Sequence, residues 1–159
     1  MTVSSKTIAV GSDNLGHELK EILRVRLNEL GYTVLDFGVA DPLLGDYPDV
    51  AEAVAEAVRS DRCSSGVLVC GTGAGMAIAA NKVPGIRAVC VSDPYTAERA
   101  RASNNAQIIT MGSLITTATI AVRLMEIWLR AEFTGGSSAP KVAKIADIER
   151  RYGDRVTSP

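Results

Sequence analysis

Histidine, aromatic residues and cysteine are all scarce in this chain of 159 residues. The one histidine, His17, excludes a site built from several imidazoles. Aromatic residues make up 4% of the chain, too few to favour a platform for stacking nucleic-acid bases. The three cysteines, at positions 63, 70 and 90, are an odd number without zinc-site spacing. We therefore expect free thiols in a reducing compartment and no metal site.

An excess of one charge and a long apolar run are also absent. The formal net charge is −1 and no basic run interrupts the chain, so the sequence predicts no nucleic-acid partner. No apolar run reaches transmembrane length, and the first residues lead straight into a strand-like segment, so we expect no signal peptide. Hydrophobic residues are 47% of a length that fits one domain, residues 1–159. The composition therefore predicts a cytoplasmic domain without membrane contact.

Short buried runs alternate with segments of helical period along the chain. Strands are predicted at 7–12, 32–37, 65–70, 87–91 and 106–111. Helices are predicted at 15–30, 50–58, 76–81, 95–103, 116–131 and 142–152, with a turn-rich stretch at 38–49 and a Gly/Ser loop at 134–140. This alternation predicts an α/β fold with a five-stranded parallel sheet covered on both faces. Ligands of such folds bind at the carboxyl ends of the strands.

The strongest local signal is a glycine-rich segment between the third strand and the next helix, which we name the glycine loop: Cys70-Gly71-Thr72-Gly73-Ala74-Gly75. Glycines let a ligand approach main-chain N–H groups, and amides at a helix start favour an anion. The same field favours the thiolate of Cys70. A thiolate beside an oxyanion site suits removal of a proton next to a carbonyl.

Two other interpretations of this segment stay open. Cys70 also fits a buried apolar strand residue, because free cysteines are so often buried. The loop also fits a dinucleotide site in part, since Asp93 follows about 20 residues later. Its spacing is Gly-x-Gly-x-Gly after the third strand, however, which departs from the dinucleotide pattern. Cys63 and Cys90 are expected to have no role.

Polar residues at other strand and helix ends are further candidates. Asp13 and Asn14 follow the first strand, where they cap the next helix or reach a substrate hydroxyl. Tyr47 lies in a predicted turn, where it packs or binds a sugar hydroxyl. Asn104 and Asn105 end a helix, either as C-caps or as amides for a polyhydroxylated ligand. Trp128 is expected in the core. Four cations are expected on solvated faces: Lys82, Arg87, Arg99 and Arg101.

Six motifs occur in a fixed order along nearly the whole chain: Gly11-Ser12-Asp13, Asp46-Tyr47-Pro48, the glycine loop, Ala79-Ala80-Asn81-Lys82, Gly85-Ile86-Arg87-Ala88 and Gly135-Gly136. Together they resemble the type B ribose-5-phosphate isomerase family, which includes the galactose-6-phosphate isomerase subunits. The resemblance implies a Rossmann-like α/β/α homodimer, or a dimer of such dimers. It also implies interconversion of aldose and ketose phosphates through a cis-enediolate, without cofactor or metal.

The resemblance also implies roles for individual residues. Cys70 matches the base of the cysteine-using members, and Thr72 matches the hydroxyl near the substrate oxygens. Amides of the glycine loop hold the enediolate. Asp13, Tyr47 and Asn104 match positions that contact the sugar. Part of each site comes from the partner subunit, which the C-terminal helix, at about 139–152, is expected to contact.

The chain departs from the family pattern at five positions. Asn14 stands where a histidine is common, and Ser103 replaces the histidine associated with opening the furanose ring. Three positions expected to hold phosphate-binding arginines carry Leu114, Ser137 and Lys141. Only Lys141 keeps a charge there, and a lysine lacks the bidentate fork of arginine.

These departures bear on the substrate. A substrate that is already open-chain needs no ring opening, and a tetrose phosphorylated on its terminal oxygen cannot close a furanose ring through that oxygen. The stretch 92–112 is also similar to the tetrulose-phosphate isomerase branch of the family. The expected pair is therefore D-erythrulose 4-phosphate and D-erythrose 4-phosphate. Open alternatives are ribose 5-phosphate and ribulose 5-phosphate, an unphosphorylated or carboxylated sugar, and a non-catalytic sugar-phosphate-binding paralogue.

Overall fold

The computed structural model describes residues 7–38 and 46–153, which form a parallel sheet flanked by helices. The strands are β1 (Thr7–Ser12), β2 (Thr33–Asp36), β3 (Ser65–Cys70), β4 (Ala88–Cys90) and β5 (Ile108–Gly112). The helices are α1 (His17–Glu29), α2 (Tyr47–Arg59), α3 (Ala74–Ala80), α4 (Pro94–Ala102), α5 (Ala118–Arg130) and α6 (Ala139–Gly153), with a 3₁₀ turn at Gly136–Ser138. The predicted five-stranded Rossmann-like α/β fold is confirmed.

The core lies in two layers, one on each face of the sheet. Residues of α1, α4 and α5 pack on one face, where Trp128 is 1% exposed and, as expected, part of the core. Residues of α2 and α3 pack on the other, together with Leu68 and Cys70 of β3. Within 7–38 and 46–153, no helix has the length and apolar character needed to cross a bilayer.

The strand order places a crevice between β1 and β3. The sheet runs β2-β1-β3-β5-β4, so the chain leaves β1 towards one edge and returns to add β3 on the other side. Helix α1 therefore lies on one face and α2 on the other. In open parallel sheets, ligands bind outside the carboxyl ends of the strands at such a reversal. The segments that follow β1 and β3 begin with Asp13 and Gly71.

The start of α2 differs from the sequence prediction. The helix begins at Tyr47, three residues before the predicted start, so Tyr47 is helical and not part of a turn. The cause is a capping box, in which Asp46 and Asp49 each accept from the other's backbone N–H, followed by Pro48 near the helix start. The predicted turn residues 39–45 lie outside the described part of the chain. The last helix begins at Ala139, three residues before its helical pattern starts and at the first residue of the range expected for the C-terminal helix.

Three of the four cations expected on solvated faces are half-buried, and Lys82 alone is fully exposed. Arg101 stacks over the Trp128 ring at 5.5 Å, and burial lowers its pKa. Arg87 donates to the backbone carbonyls of Asn104 and Asn105, and burial lowers its pKa too. Arginine tolerates such sites because its donors are satisfied by carbonyls while its apolar stem packs.

Candidate active site

Cys70 is the last residue of β3 and lies at the carboxyl edge of the sheet. Its side chain faces the layer formed by α2 and α3 and is 6% exposed. Its sulfur accepts a hydrogen bond from the N–H of Gly73 at 3.1 Å. A backbone N–H aimed at sulfur stabilises a thiolate more than a thiol, because only the thiolate is a strong acceptor. The geometry therefore places a backbone donor against the Cys70 sulfur at a nearly buried position.

The glycine loop turns sharply to bring this N–H back to the sulfur. Gly73 has a left-handed backbone conformation, with φ of +82°, which a side chain would strain. A Cβ there would also lie 2.9 Å from the sulfur of Cys90 and 2.9 Å from the backbone of Met111. The loop thus passes directly over the ends of β4 and β5, with no space for a side chain at Gly73.

Thr72 is exposed at the top of the loop. Its hydroxyl oxygen accepts from the N–H of Ala74 at 3.3 Å, so the hydroxyl hydrogen remains to be donated elsewhere. The next amides, of Gly75 and Met76, belong to the first turn of α3 and lack intrahelical acceptors. Donors of this kind suit the oxygens of a small polar substrate.

Tyr47 closes the loop from the side of α2. A Cβ on Gly75 would lie 2.7 Å from the tyrosine ring and 3.2 Å from its hydroxyl oxygen, so the ring rests directly against Gly75. Tyr47 is 41% exposed, so part of the residue contacts solvent. The structure therefore places Tyr47 against the loop that contains Thr72 and Cys70, and we call the surface where they meet the cleft; the sequence had predicted a turn at Tyr47 instead of a helix.

Asp13 lies across the crevice from Cys70. Ser12 pairs in register with Val69, so the next residue on each segment, Asp13 and Cys70, stands at the same level of the sheet. One carboxylate oxygen of Asp13 accepts from the N–H of Gly16 at 2.9 Å, which orders the turn into α1. Asn14 is exposed beside it. The N-cap of α1 is Gly16, without a side-chain cap bond, so the predicted capping of this helix by Asp13 or Asn14 is wrong. The bond to Gly16 leaves the second oxygen of Asp13 unused, because a carboxylate has lone pairs to spare.

The neighbourhood of Gly71 is apolar. A Cβ on Gly71 would lie 3.2 Å from a methyl carbon of Leu15 and 3.6 Å from one of Leu114. Both leucines are largely exposed, at 55% and 74%. Leu114, one of the positions where an arginine was expected, therefore supplies an apolar wall next to the glycine loop.

One predicted site residue lies at the edge of the sheet opposite Cys70, and two others lie after α5, near the start of α6. Asn104 follows α4, which returns from the carboxyl edge of the sheet, so it lies near the start of β5 at the opposite edge. Its backbone N–H donates to Arg99 and its carbonyl accepts from Arg87. Ser137 lies in the 3₁₀ turn and Lys141 in the first turn of α6, and both are exposed.

Sequence reasoning missed two neighbours of the glycine loop. The buried hydroxyl of Thr110 donates to the carbonyl of Gly73 at 2.7 Å. The thiol of Cys90 donates to the carbonyl of Thr72 at 3.6 Å, although this cysteine was expected to have no role. Cys90 is the last residue of β4 and Thr110 the middle residue of β5, and the pairing of these strands brings both to the loop. Asp93 caps α4, and hydrogen bonds from Thr96 lower its pKa.

The cleft holds a thiol, a hydroxyl and backbone donors within one turn of chain. No group of three His, Cys, Asp or Glu side chains able to hold a metal ion occurs in the described ranges. A thiol held against a backbone N–H can take and return a proton, while the neighbouring donors bind oxygen atoms that gain negative charge. The arrangement fits proton transfer next to a carbonyl group.

Comparison with known proteins agrees with this chemistry. The sequence model of the family described as Ribose/Galactose Isomerase matches residues 8–145. A ribose-5-P isomerase B of Listeria innocua is 46% identical over 144 residues, which cover 91% of this chain and 97% of the relative. A D-erythrulose-4-phosphate isomerase of Pectobacterium atrosepticum is 45% identical over 147 residues, with 91% and 96% covered.

A solved structure shows the same fold. Ribose-5-phosphate isomerase B of Clostridium thermocellum superposes with a TM-score of 0.89 at 44% identity, and the match covers 92% of this chain and 99% of that one. Both the sequence and the fold are thus shared over almost the full length of each protein. The chain belongs to the ribose/galactose isomerase family and is an aldose–ketose isomerase.

Proposed function

We propose that the chain interconverts D-erythrulose 4-phosphate and D-erythrose 4-phosphate through a cis-enediolate, with Cys70 as the base. The observation that carries this proposal is the hydrogen bond from Gly73 N–H to the Cys70 sulfur. It supports a thiolate at the carboxyl edge of the sheet, beside donors for the substrate oxygens. Similarity to both a tetrulose-phosphate and a pentose-phosphate isomerase supports the sugar-phosphate class.

The chemistry is a proton moved between two neighbouring carbons. The Cys70 thiolate takes the proton from C2 of the aldose, and the electron pair of that bond forms the C1–C2 double bond. The aldehyde oxygen then carries the negative charge, and a proton passes from the oxygen on C2 to the oxygen on C1. Cys70 returns its proton to C1, which gives the ketose. No redox partner is needed, because the oxidation at C2 balances the reduction at C1.

The groups that neighbour Cys70 bind the oxygen atoms of the substrate. Thr72 has a hydroxyl hydrogen to donate, because its oxygen already accepts from Ala74 N–H. The amides of Gly71, Gly73, Ala74 and Gly75 line the same turn, and those not engaged with Cys70 or Thr72 serve the enediolate. Tyr47 and Asp13, with Asn14 beside it, face the cleft from α2 and from the end of β1 and are assigned to the sugar hydroxyls.

The remaining site residues are assigned to a second copy of the chain. Asn104 lies at the edge of the sheet opposite Cys70, and Ser137 and Lys141 are exposed near the start of α6. A two-fold dimer in which these residues lie over the partner's cleft completes both sites at once, because each contact occurs twice in an isologous interface. In this arrangement Asn104 binds substrate hydroxyls, and Ser137 with Lys141 binds the terminal phosphate.

The preference for a four-carbon substrate rests on Ser103 and Leu114. Ser103 accepts a hydrogen bond from Arg99 and offers no imidazole for opening a sugar ring. Leu114 places methyl groups beside Gly71, which shortens the polar part of the cleft. An open-chain tetrose phosphate suits both features. Ribose 5-phosphate is the second candidate, because the Listeria relative is as similar as the Pectobacterium one.

Deuterium exchange tests the proposal directly. The protein is incubated in D₂O with D-erythrulose 4-phosphate and, separately, with D-ribulose 5-phosphate, and both are followed by proton NMR. We expect deuterium at C1 and formation of the aldose with the tetrulose, and much slower exchange with the pentulose. Faster turnover of ribulose 5-phosphate would overturn the substrate assignment.

The role of Cys70 is tested in the same assay. Cys70→Ala should lower the rate by roughly 10²–10⁴-fold, the usual contribution of a general base, while substrate binding is retained. The matched control is Cys63→Ala, which removes another buried thiol that lies away from the glycine loop. If Cys70→Ala exchanged deuterium at the control rate, another group would be the base.

A further inference from the structure

One peptide unit of the glycine loop lies between two cysteine sulfurs. The thiol of Cys90 donates to the carbonyl of Thr72 at 3.6 Å, and the N–H of Gly73 donates to the sulfur of Cys70 at 3.1 Å. That carbonyl and that N–H belong to the same peptide group, the one that joins Thr72 to Gly73. The three groups therefore form one chain of hydrogen bonds, from Cys90 through the peptide to Cys70.

The next peptide unit is held in the same way. The hydroxyl of Thr110 donates to the carbonyl of Gly73 at 2.7 Å, and Thr110 is 0% exposed. A fully buried hydroxyl in a strand of Ile, Met and Gly is costly unless it has a partner, and this bond provides one. Two consecutive peptide groups of the loop are thus fixed by side chains from two neighbouring strands.

The sheet register explains why these side chains meet the loop. Cys90 and Thr110 are paired on β4 and β5, and Thr110 is paired with Leu68 on β3. Paired residues of a sheet point to the same face, and residues two apart on a strand do so as well. Cys90, Thr110 and Cys70 therefore share the face covered by α2 and α3, where the loop crosses.

We propose that Cys90 and Thr110 are positioning residues that hold the two peptide groups around Gly73, and with them the N–H donated to Cys70. The inference rests on the proposed role of Cys70 and extends it to residues that do not touch the substrate. A polarised peptide group is a stronger donor, so the Cys90 bond strengthens the contact at Cys70. The hydrogen bond from Thr110 holds Gly73 in its left-handed conformation. This conformation aims the Gly73 N–H at the sulfur of Cys70.

The test measures the thiolate of Cys70 without any substrate. Alkylation by iodoacetamide is followed from pH 5 to 10, and the Cys70 peptide is quantified by mass spectrometry. In Cys90→Ala and Thr110→Val, we expect the midpoint of the Cys70 profile to rise by about 0.5–1 pH unit. This corresponds to roughly a three- to tenfold loss of thiolate at neutral pH.

Matched variants separate positioning from folding. Cys90→Ser and Thr110→Ser keep a donor at each position and should restore much of the wild-type midpoint, whereas Cys63→Ala should leave it unchanged. The other titratable groups around Cys70 are Asp13 after β1, Tyr47 on α2 and the thiol of Cys90 on β4, and the first turn of α3 adds none. Only Cys90 is altered, and only in its own variants, so the Thr110 variants test the positioning with every titratable group in place. Since Cys90 is exposed, its variants should fold even if Thr110→Val does not.

The outcomes distinguish this proposal from the function it rests on. An unchanged alkylation midpoint of Cys70 in Cys90→Ala and Thr110→Val would overturn the positioning proposal. So would a serine variant whose midpoint rises as far as that of Cys90→Ala or Thr110→Val. A raised midpoint should be matched by a fall in kcat at neutral pH with KM unchanged. A raised midpoint in an enzyme whose turnover does not need Cys70 would leave the positioning intact and refute Cys70 as the base.

Discussion

A single carbon atom added at Gly112 would displace the glycine loop above Cys70. A Cβ on Gly112 would lie 2.6 Å from the carbonyl carbon of Thr72 and 2.7 Å from its Cα, and both are backbone atoms. A side chain can rotate away from such a contact, but a backbone segment has to move as a whole. The strain at Gly112 would therefore be transmitted directly to the glycine loop.

We expect Gly112→Ala to lower both stability and activity. The overpacked contact should cost about 1–3 kcal/mol, the usual range for an added group in a packed site. The rate should fall further than stability alone explains, because the Thr72–Gly73 peptide is displaced from the Cys70 sulfur. The measurements are urea denaturation and deuterium exchange. Gly153→Ala is the control, since nothing lies within 4 Å of its added carbon. Full activity in Gly112→Ala would show that the loop tolerates displacement.

At this scale the sequence predicted the chemical groups but not all of their neighbours. Cys70 and the glycine loop were recognisable, because a thiol followed by three spaced glycines at a strand end has few structural explanations. Cys90 and Thr110 were not, because their contact with the loop depends on the register of β4, β5 and β3. Register is a property of tertiary pairing, and no local pattern in this chain encodes it.

Among the elements, α5 is fixed to the sheet by one large side chain. Trp128 is 1% exposed, its ring nitrogen donates to the carbonyl of Ala106 at 3.2 Å, and Arg101 covers its ring. The tryptophan thus connects α5 to the segment between α4 and β5. The same segment contains Asn104, so the packing of α5 bears on a predicted site residue.

We expect Trp128→Phe to destabilise the protein by about 1–3 kcal/mol, because the carbonyl of Ala106 loses its donor inside the core. Trp128→Ala should cost about 3–5 kcal/mol, since it also leaves a cavity. Circular dichroism during urea denaturation measures both, as the chain has no other tryptophan to report by fluorescence. An equal loss of unfolding free energy in the two variants would mean that the hydrogen bond of Trp128, and not the volume of its ring, accounts for most of its contribution to stability.

Element boundaries were predicted less well than element types. The start of α2 was misplaced because the capping box uses Asp49, where the usual motif has Glu or Gln, and because Pro48 was taken as a turn residue. That three-residue difference matters, since it turns Tyr47 from a loop residue into one fixed on a helix against Gly75. The choice was therefore encoded locally, in a variant of the capping box that the sequence reading did not recognise.

At the scale of the whole molecule, α6 is a helix whose apolar side is left uncovered in the described part of the chain. No residue of α6 is buried in the described structure, and Ile145 and Ile148 are 43% and 50% exposed. Its carboxylate at Glu149 accepts from the N–H of Gly85, which orients the helix without covering its apolar side. An apolar stripe of this kind is costly in water and favours burial against a second chain.

A hybrid dimer tests whether each site is shared. Cys70→Ala and Asn104→Ala are each expected to be nearly inactive. When they are co-expressed with different tags and purified as mixed dimers, one site combines both defects and the other has neither. Mixed dimers should therefore regain about half of the wild-type rate, whereas sites confined to one chain would leave them as inactive as their parents. Analytical ultracentrifugation provides the control: a fully active monomer would refute sharing, because no partner would then be present to supply Asn104.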